Sequence, residues 1–338
     1  MNLLDLEYTE LENIITEAGL PKFRAGQIFS WVQKGVTERE NMTNVPKSLW
    51  ENESLKDLKA ELPELLQVQR SSDGTVKCLA GLKDGNAVET VFMKYKYGNS
   101  ICISSQAGCR MGCAFCASGM LGLERNLTPG ELLGQILMAE RETGEKISHI
   151  VVMGTGEPFD NYENLSKFIR IINHPKGRNL GMRNITVSTC GIVPMIERFG
   201  DDFGQVNLAI SLHASTDKER SEIMPVNRAY PLDTLIDACR RYTEKTGRRI
   251  TFEYTLIRGV NDDSKHLASL SDLLHGMLCH VNLIPLNEVK EKQFRSGTRE
   301  RAEEFREALE KRGIPATIRR ELGSDIDAAC GQLRLKNN

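Results

Sequence analysis

The chain has 338 residues, 40% of them hydrophobic and 27% charged, with a formal net charge of −2. That is an ordinary globular composition, long enough for one large domain plus a small accessory one, and nothing global in its charge points to nucleic acid. Nine cysteines, an odd number, follow an acidic start (Met1–Glu7) without a basic stretch or an apolar run, and no segment approaches the length of a membrane span. This predicts a cytoplasmic protein whose thiols act as ligands or reactants, not as a disulfide framework.

In chain order, residues 1–62 read as a small helical accessory domain, separate from the rest of the chain. Leu11, Ile14, Ile15 and Leu20 share one face, and Phe23, Ile28, Phe29, Trp31 and Val32 the next. Residues 63–99 alternate as strands, with turn signals at Ser72-Asp73-Gly74 and Lys83-Asp84-Gly85-Asn86, and read as a β-hairpin linker. From residue 100 short β-branched runs (101–105, 150–153, 185–188, 206–212, 250–257 and 281–286) alternate with amphipathic stretches. The first of these opens with a cap, Thr128-Pro129-Gly130-Glu131. Six strand–helix units predict an α/β fold over 100–320, an open (β/α)6 partial TIM barrel, followed by a tail at 321–338.

The run Cys109-Arg-Met-Gly-Cys113-Ala-Phe-Cys116 carries the strongest chemical signal. Zinc sites usually take four ligands, and no fourth Cys or His follows within two turns. Three thiolates suit a [4Fe–4S] cluster with one open iron, with a zinc knuckle or three unrelated thiols as the alternatives. The spacing, with Phe115 inside it, resembles the signature of the radical S-adenosylmethionine (SAM) superfamily, which implies that the open iron chelates SAM. Other chemistry-bearing residues fall after strands, where barrels build active sites. They are Met153-Gly154-Thr155-Gly156-Glu157-Pro158, Ser188-Thr189, Ser211-Leu212-His213 and Asn287. By themselves the glycines could form a tight turn, Glu157 a helix cap and His213 a satisfied barrel-mouth histidine. The superfamily resemblance implies instead that Gly156 and Glu157 meet the SAM amino group. It further implies that Ser188, Ser211, Leu212, His213 and Asn287 hold its ribose and carboxylate.

Two further cysteines narrow the resemblance. Cys102 lies in Ile101-Cys102-Ile103-Ser104, and Cys330 in Asp325-Ile326-Asp327-Ala328-Ala329-Cys330-Gly331-Gln332-Leu333. With Asn126-Leu127-Thr128, Ser211-Leu212-His213-Ala214 and Asn282-Leu283-Ile284-Pro285, these stretches resemble the radical-SAM adenine methyltransferases of the RlmN/Cfr group from about Val88 to Leu333. The resemblance implies C2 methylation of adenosine 2503 in 23S rRNA and adenosine 37 in tRNA, or, for the Cfr-type relative, C8 methylation of 23S rRNA. Adenine C2 is electrophilic and cannot attack a SAM methyl directly. The implied route therefore uses two SAM molecules: Cys330 becomes S-methylcysteine, a radical formed from that methyl adds to C2, and Cys102 resolves the adduct through a transient disulfide with Cys330. Glu89, in Val88-Glu89-Thr90-Val91, matches the family's proton acceptor. Read without the resemblance, Glu89 is a solvent-facing hairpin glutamate and Cys330 a buried thiol, with Asp325 and Asp327 disfavouring a thiolate nearby. Cys78, Cys190, Cys239 and Cys279 read as core or incidental. The resemblance also implies a flavodoxin or ferredoxin as electron donor, and a monomer is expected. Lys22, Phe23, Arg24, Gln27, Trp31 and Lys34 form a candidate RNA-binding face, with Arg319–Arg320, Arg334 and Lys336 as further basic clusters. A catalytically silent RNA-binding protein of the same fold is the alternative from another class, and the intact set of five cysteines speaks against it.

Overall fold

A computed structural model describes residues 1–120, 122–287 and 292–326. The chain begins with α1 (Tyr8–Glu17), opened by a capping box in which Glu10 accepts the Glu7 N–H at 2.8 Å, and α2 (Phe23–Gln33). An antiparallel meander comes next: β1 (Glu64–Arg70), β2 (Val76–Gly81), β3 (Ala87–Tyr95) and β4 (Gly98–Ile103). The turn signals act as the sequence suggests. Asp73 accepts the Thr75 N–H at 2.9 Å and Asp84 that of Asn86 at 3.1 Å, each turn passing through a positive-φ glycine, Gly74 or Gly85.

After β4 the chain makes a small antiparallel pair, β5 (Gln106–Gly108) with β6 (Leu123–Asn126), which brackets the cysteine loop. The barrel then proceeds through α3 (Pro129–Thr143), β7 (His149–Val152), α4 (Tyr162–Asn173), β8 (Ile185–Thr189), α5 (Val193–Phe203) and β9 (Asn207–Ser211). It continues with α6 (Asp217–Ile223), α7 (Leu232–Thr246), β10 (Ile250–Leu256), α8 (Ser264–Leu274), β11 (Cys279–Pro285), α9 (Arg299–Lys311) and β12 (Ala316–Ile318). The cap read at α3 is present: Thr128 Oγ1 accepts from the Glu131 N–H, and Glu131 accepts from the Thr128 N–H at 2.9 Å.

One sheet holds ten strands in the order β1-β2-β3-β4-β7-β8-β9-β10-β11-β12. From β4 to β11 the six expected strands run parallel, each crossover carrying at least one helix, and β12 adds a short seventh. This is the open (β/α)6 barrel, with an extra strand at one edge. The hairpins of 63–99 extend the other edge of the same sheet, because the antiparallel register of β3 on β4 continues the ladder. The N-terminal helices pack directly on the barrel. Leu11, Ile15, Ile28, Phe29 and Val32 belong to the same continuous core as Leu133, Leu137, Leu165 and Phe168 of α3 and α4. Two short helices bury too little by themselves, so their apolar faces close on the barrel's helices. Asp5 accepting the Gly130 N–H at 2.6 Å and the Lys167–Glu10 pair at 2.8 Å fix that docking. Among the described residues no helix is long and apolar enough to cross a membrane.

Candidate active site at the barrel mouth

A cavity opens where the parallel strands end. Cys109, Cys113 and Cys116 reach it from the loop after β5, Gly154, Gly156 and Glu157 from the loop after β7, and Ser188 and Cys190 from β8 and its end. Ser211 and His213 enter after β9, Glu253 and Thr255 from β10, Asn287 after β11 and Arg319 after β12. Eight candidates from distant parts of the sequence thus meet: the three cysteines, Gly156, Glu157, Ser188, Ser211 and His213. Asn287 makes a ninth. Leu212 does not line the cavity. Its side chain is buried, and its N–H donates to the Glu253 carbonyl at 3.0 Å, so its part is backbone register.

The cysteine loop is held from both ends. The Cys109 N–H donates to the Gly122 carbonyl at 2.8 Å, and the Ala114 N–H to the Ile223 carbonyl at 2.8 Å, tying the loop to the end of α6. A side chain at Gly108 would place its Cβ 2.0 Å from the Gly122 oxygen, so that crossing admits only glycine. Burial pushes the Cys109 thiol up to about 11, with the charges of Glu157, Cys116 and Asp160 adding to it, and pushes Cys113 higher still. The desolvated Cys109 and Cys113 thiols resist ionising unless positive charge compensates them, which iron would supply. Among the described residues no three His, Cys, Asp or Glu side chains are gathered around one single ion. Three cysteines on one cavity wall fit the separate irons of a cubane.

The glycines of the loop after β7 also answer to contacts within the protein. A Cβ on Gly154 would meet Ser104 Oγ at 2.7 Å and the Ile103 backbone at 2.8 Å. One on Gly156, at φ +106°, would meet Gln106 at 2.6 Å. They let this loop cross the end of β4, not only approach a ligand. Glu157 is 4% exposed, and its two oxygens accept from the Phe159 N–H at 2.9 Å and the Cys190 N–H at 2.7 Å. Burial pushes its carboxyl up, while those N–H donors pull the other way. Glu157 therefore staples the loops after β7 and β8 while facing the cavity.

His213 sits at φ +59°, 5% exposed, its Nδ1 accepting from the Thr255 N–H at 3.0 Å and its ring edge-on to Phe115 at 4.9 Å between centroids. Burial, helped by the Arg220 charge, pushes its pKa down to about 3, so the ring is neutral with its proton on Nε2. Arg220 is fully buried. Its guanidinium donates to the carbonyls of Cys190 (2.7 Å), Ser211 (3.1 Å) and Leu212 (3.2 Å) and to Asn227 Oδ1 (2.9 Å), clamping the ends of β8 and β9. The Ser188 and Ser211 hydroxyls lie 3.5 Å apart.

Glu89 and Cys102 lie beside this cavity rather than in its lining. Along β3, Val88 and Phe92 face the main core while Val91 and Met93 face a smaller cluster with Cys102; strand alternation puts Glu89 on that inner face. Cys102 is opposite Val91 in the β3–β4 register. Glu89 is 9% exposed and pairs with the buried Lys77 at 3.1 Å, so it is no solvent-facing hairpin residue. Lys77 offsets a carboxylate charge that would be costly alone in this setting. Leu322 and Ile326, from the segment after β12, pack into the cluster with Cys102. Cys330 lies outside the described residues, and no disulfide joins the described cysteines.

Sequence reasoning missed Arg220, Cys190, Glu253 and Lys77. A charged residue inside the apolar run of β10 was a usable signal for Glu253, which is 4% exposed and accepts from Asn282 at 3.0 Å. Arg220 reads as an ordinary charge of a short polar helix, and nothing local marks it. On the proposed RNA face, Phe23 is 58% exposed under the Arg24 guanidinium, whereas Trp31 is half-buried and donates to Asn44 at 2.6 Å. Lys22 is paired with Glu12 at 2.8 Å. Arg334 and Lys336 fall outside the described residues.

Residues 103–270 match the model of the radical SAM superfamily, and residues 1–60 that of the ribosomal RNA large subunit methyltransferase N-terminal domain. A probable dual-specificity RNA methyltransferase RlmN of Clostridium perfringens is 53% identical, covering 98% of this chain and 96% of its own length. One from Clostridium tetani is 51% identical over 100% and 98%. The crystal structure of a radical SAM methyltransferase from Sphaerobacter thermophilus superposes with a TM-score of 0.94 at 47% identity, covering 99% of each chain.

Proposed function

Because the chain belongs to the RlmN family of radical SAM dual-specificity RNA methyltransferases, we propose that it methylates C2 of adenosine, at position 2503 of 23S rRNA and position 37 of tRNA. The observation that carries this reading is the inner face beside the cavity, where Glu89, Cys102 and the segment leading to Cys330 come together. Cys109, Cys113 and Cys116 would hold the cluster, which with bound SAM supplies a 5′-deoxyadenosyl radical. Gly156, Glu157, Ser188, Ser211, His213 and Asn287 would bind SAM, with Leu212 setting their register. The neutral His213 offers a donor at Nε2, and the staple at Glu157 keeps the glycine loop in place.

Cys330 thiolate attacks the methyl carbon of one SAM, displacing S-adenosylhomocysteine, and becomes S-methylcysteine; a second SAM provides the radical that takes a hydrogen from that methyl and leaves as 5′-deoxyadenosine. The carbon radical adds to adenine C2, Glu89 takes the C2 proton, and the adduct's unpaired electron would return to the oxidised cluster held by the three cysteines. Cys102 thiolate then attacks the Cys330 sulfur, breaking its bond to the methylene; that carbon takes up a proton as methylated RNA is released, and a disulfide remains. Residues 1–62, with exposed Phe23 and Arg24, would contact RNA by stacking and charge, and 63–99 would carry the proton acceptor to the barrel of 100–320. The tail, 321–338, carries the methyl. A flavodoxin or ferredoxin would deliver the electron to a cytoplasmic monomer.

The test is nucleoside mass spectrometry after anaerobic incubation of cluster-loaded protein with a low-potential reductant, methyl-labelled SAM and protein-free 23S rRNA. 2-Methyladenosine, abolished by Cys330→Ala, is expected. 8-Methyladenosine would move the chain to the Cfr-type activity, and full methylation by Cys330→Ala would overturn the two-stage route.

A further inference from the structure

The sheet is open, and the segment after β12 crosses from its last strand to the turn between its first two. There two reciprocal contacts join residues some 250 positions apart. Asp73 Oδ2 accepts the buried Gly323 N–H at 2.9 Å, and Asp325 Oδ2 accepts the Ser72 N–H at 3.2 Å. Between β12 and these contacts, Leu322, 8% exposed, packs into the cluster of Val91, Met93 and Cys102, and Ile326 joins it just beyond them. Hydrogen bonds from Thr75, Gly323 and Ser71 outweigh burial and hold the Asp73 carboxyl at about 2, so it stays an ionised acceptor at neutral pH. Gly323 has φ +65°, which bends the chain onto the turn.

We propose that the Ser72–Asp73 turn is a latch for the C-terminal segment, with Asp73 and Asp325 as positioning residues that fix the chain at Ile326, in the cluster with Cys102 and four residues before Cys330. The proposal rests on the roles of Cys330 and Cys102 given above. With the latch closed, Ile326 is anchored and Cys330 follows four residues later, within roughly 14 Å of chain. With it open, the arm is free from Ile318, about twelve residues back. Effective concentration falls as about the −3/2 power of tether length, so the thiols should meet about fivefold less often.

Cluster-loaded full chain is treated anaerobically with diamide, which takes up two electrons and two protons as the two thiols become a disulfide. The Cys102–Cys330 peptide is then followed by mass spectrometry. In wild type the cross-link should form. In Asp73→Ala it should form about fivefold more slowly, with iron content and thermal midpoint unchanged, and Asp73→Asn, which keeps an oxygen acceptor, should recover most of the rate. Because Asp73 also shapes its own turn, Asp325→Ala provides the same test from the tail side and should be slowed likewise. Wild-type rates in both alanine variants would overturn the latch. Absence of the cross-link in wild type would instead overturn the pairing of Cys102 with Cys330 on which the latch depends.

Discussion

Replacing His213 by Asn should make the protein less sensitive to mild acid. Asn tolerates the left-handed backbone at this position, and its side-chain oxygen can accept the Thr255 N–H as His213 Nδ1 does, but it has no proton to gain. His213 is buried, and its pKa falls from the ordinary 6.5 to about 3. Between those values the unfolded chain binds a proton that the folded chain refuses. Stability therefore drops as pH falls below 6.5, by about 1.4 kcal/mol for each pH unit. From pH 7.5 to pH 5 this one group removes about 2 kcal/mol. Loss of the ring contact with Phe115 costs the variant about 1 kcal/mol at either pH. Urea unfolding of metal-free protein at both pH values reads the difference between wild type and His213→Asn. That difference should favour wild type at pH 7.5, then shrink by about 2 kcal/mol and change sign at pH 5. A difference that stays constant with pH would show that His213 titrates normally and is not sealed in the barrel mouth.

Gly156→Ala adds a methyl 2.6 Å from Gln106 at φ +106°, which should cost about 2–4 kcal/mol in urea unfolding and weaken SAM binding in calorimetry. A variant that unfolds and binds as wild type would show that the loop after β7 moves freely away from β4. Arg220→Leu leaves three carbonyls and Asn227 Oδ1 without their buried donor and should lose about 3–5 kcal/mol, with Arg220→Lys recovering only part, since one ammonium cannot span all four. Equal stability of Arg220→Leu and wild type would refute the clamp.

Signals carried by near neighbours were legible in the sequence. The cysteine spacing, the Thr128–Glu131 cap, the two Asp-Gly turns and the six β-branched runs each depend on contacts within a few residues, so their chemistry is written locally. The glycines of the loop after β7 were legible as a tight turn, but only the fold shows that they make way for β4 and Gln106. Glu89 illustrates the remaining gap. Alternation in a hairpin says that it faces one side, not which, and the partner that makes its burial tolerable, Lys77, comes from the neighbouring strand. Arg220 looks like a surface charge until α6 folds beneath β8 and β9.

The sequence by itself determined the chemistry available, three closely spaced cysteines and two further thiols, and the strand–helix rhythm that builds a barrel mouth. Only the tertiary structure decided that the hairpins extend the barrel's sheet, that the N-terminal helices share its core, and that the segment after β12 brings Gly323 to Asp73. The physical reason is range. Local propensity and capping act over a few residues, whereas burying an arginine, an ion pair or an open sheet edge is settled by whichever distant segments can satisfy their polar groups and cover their apolar faces.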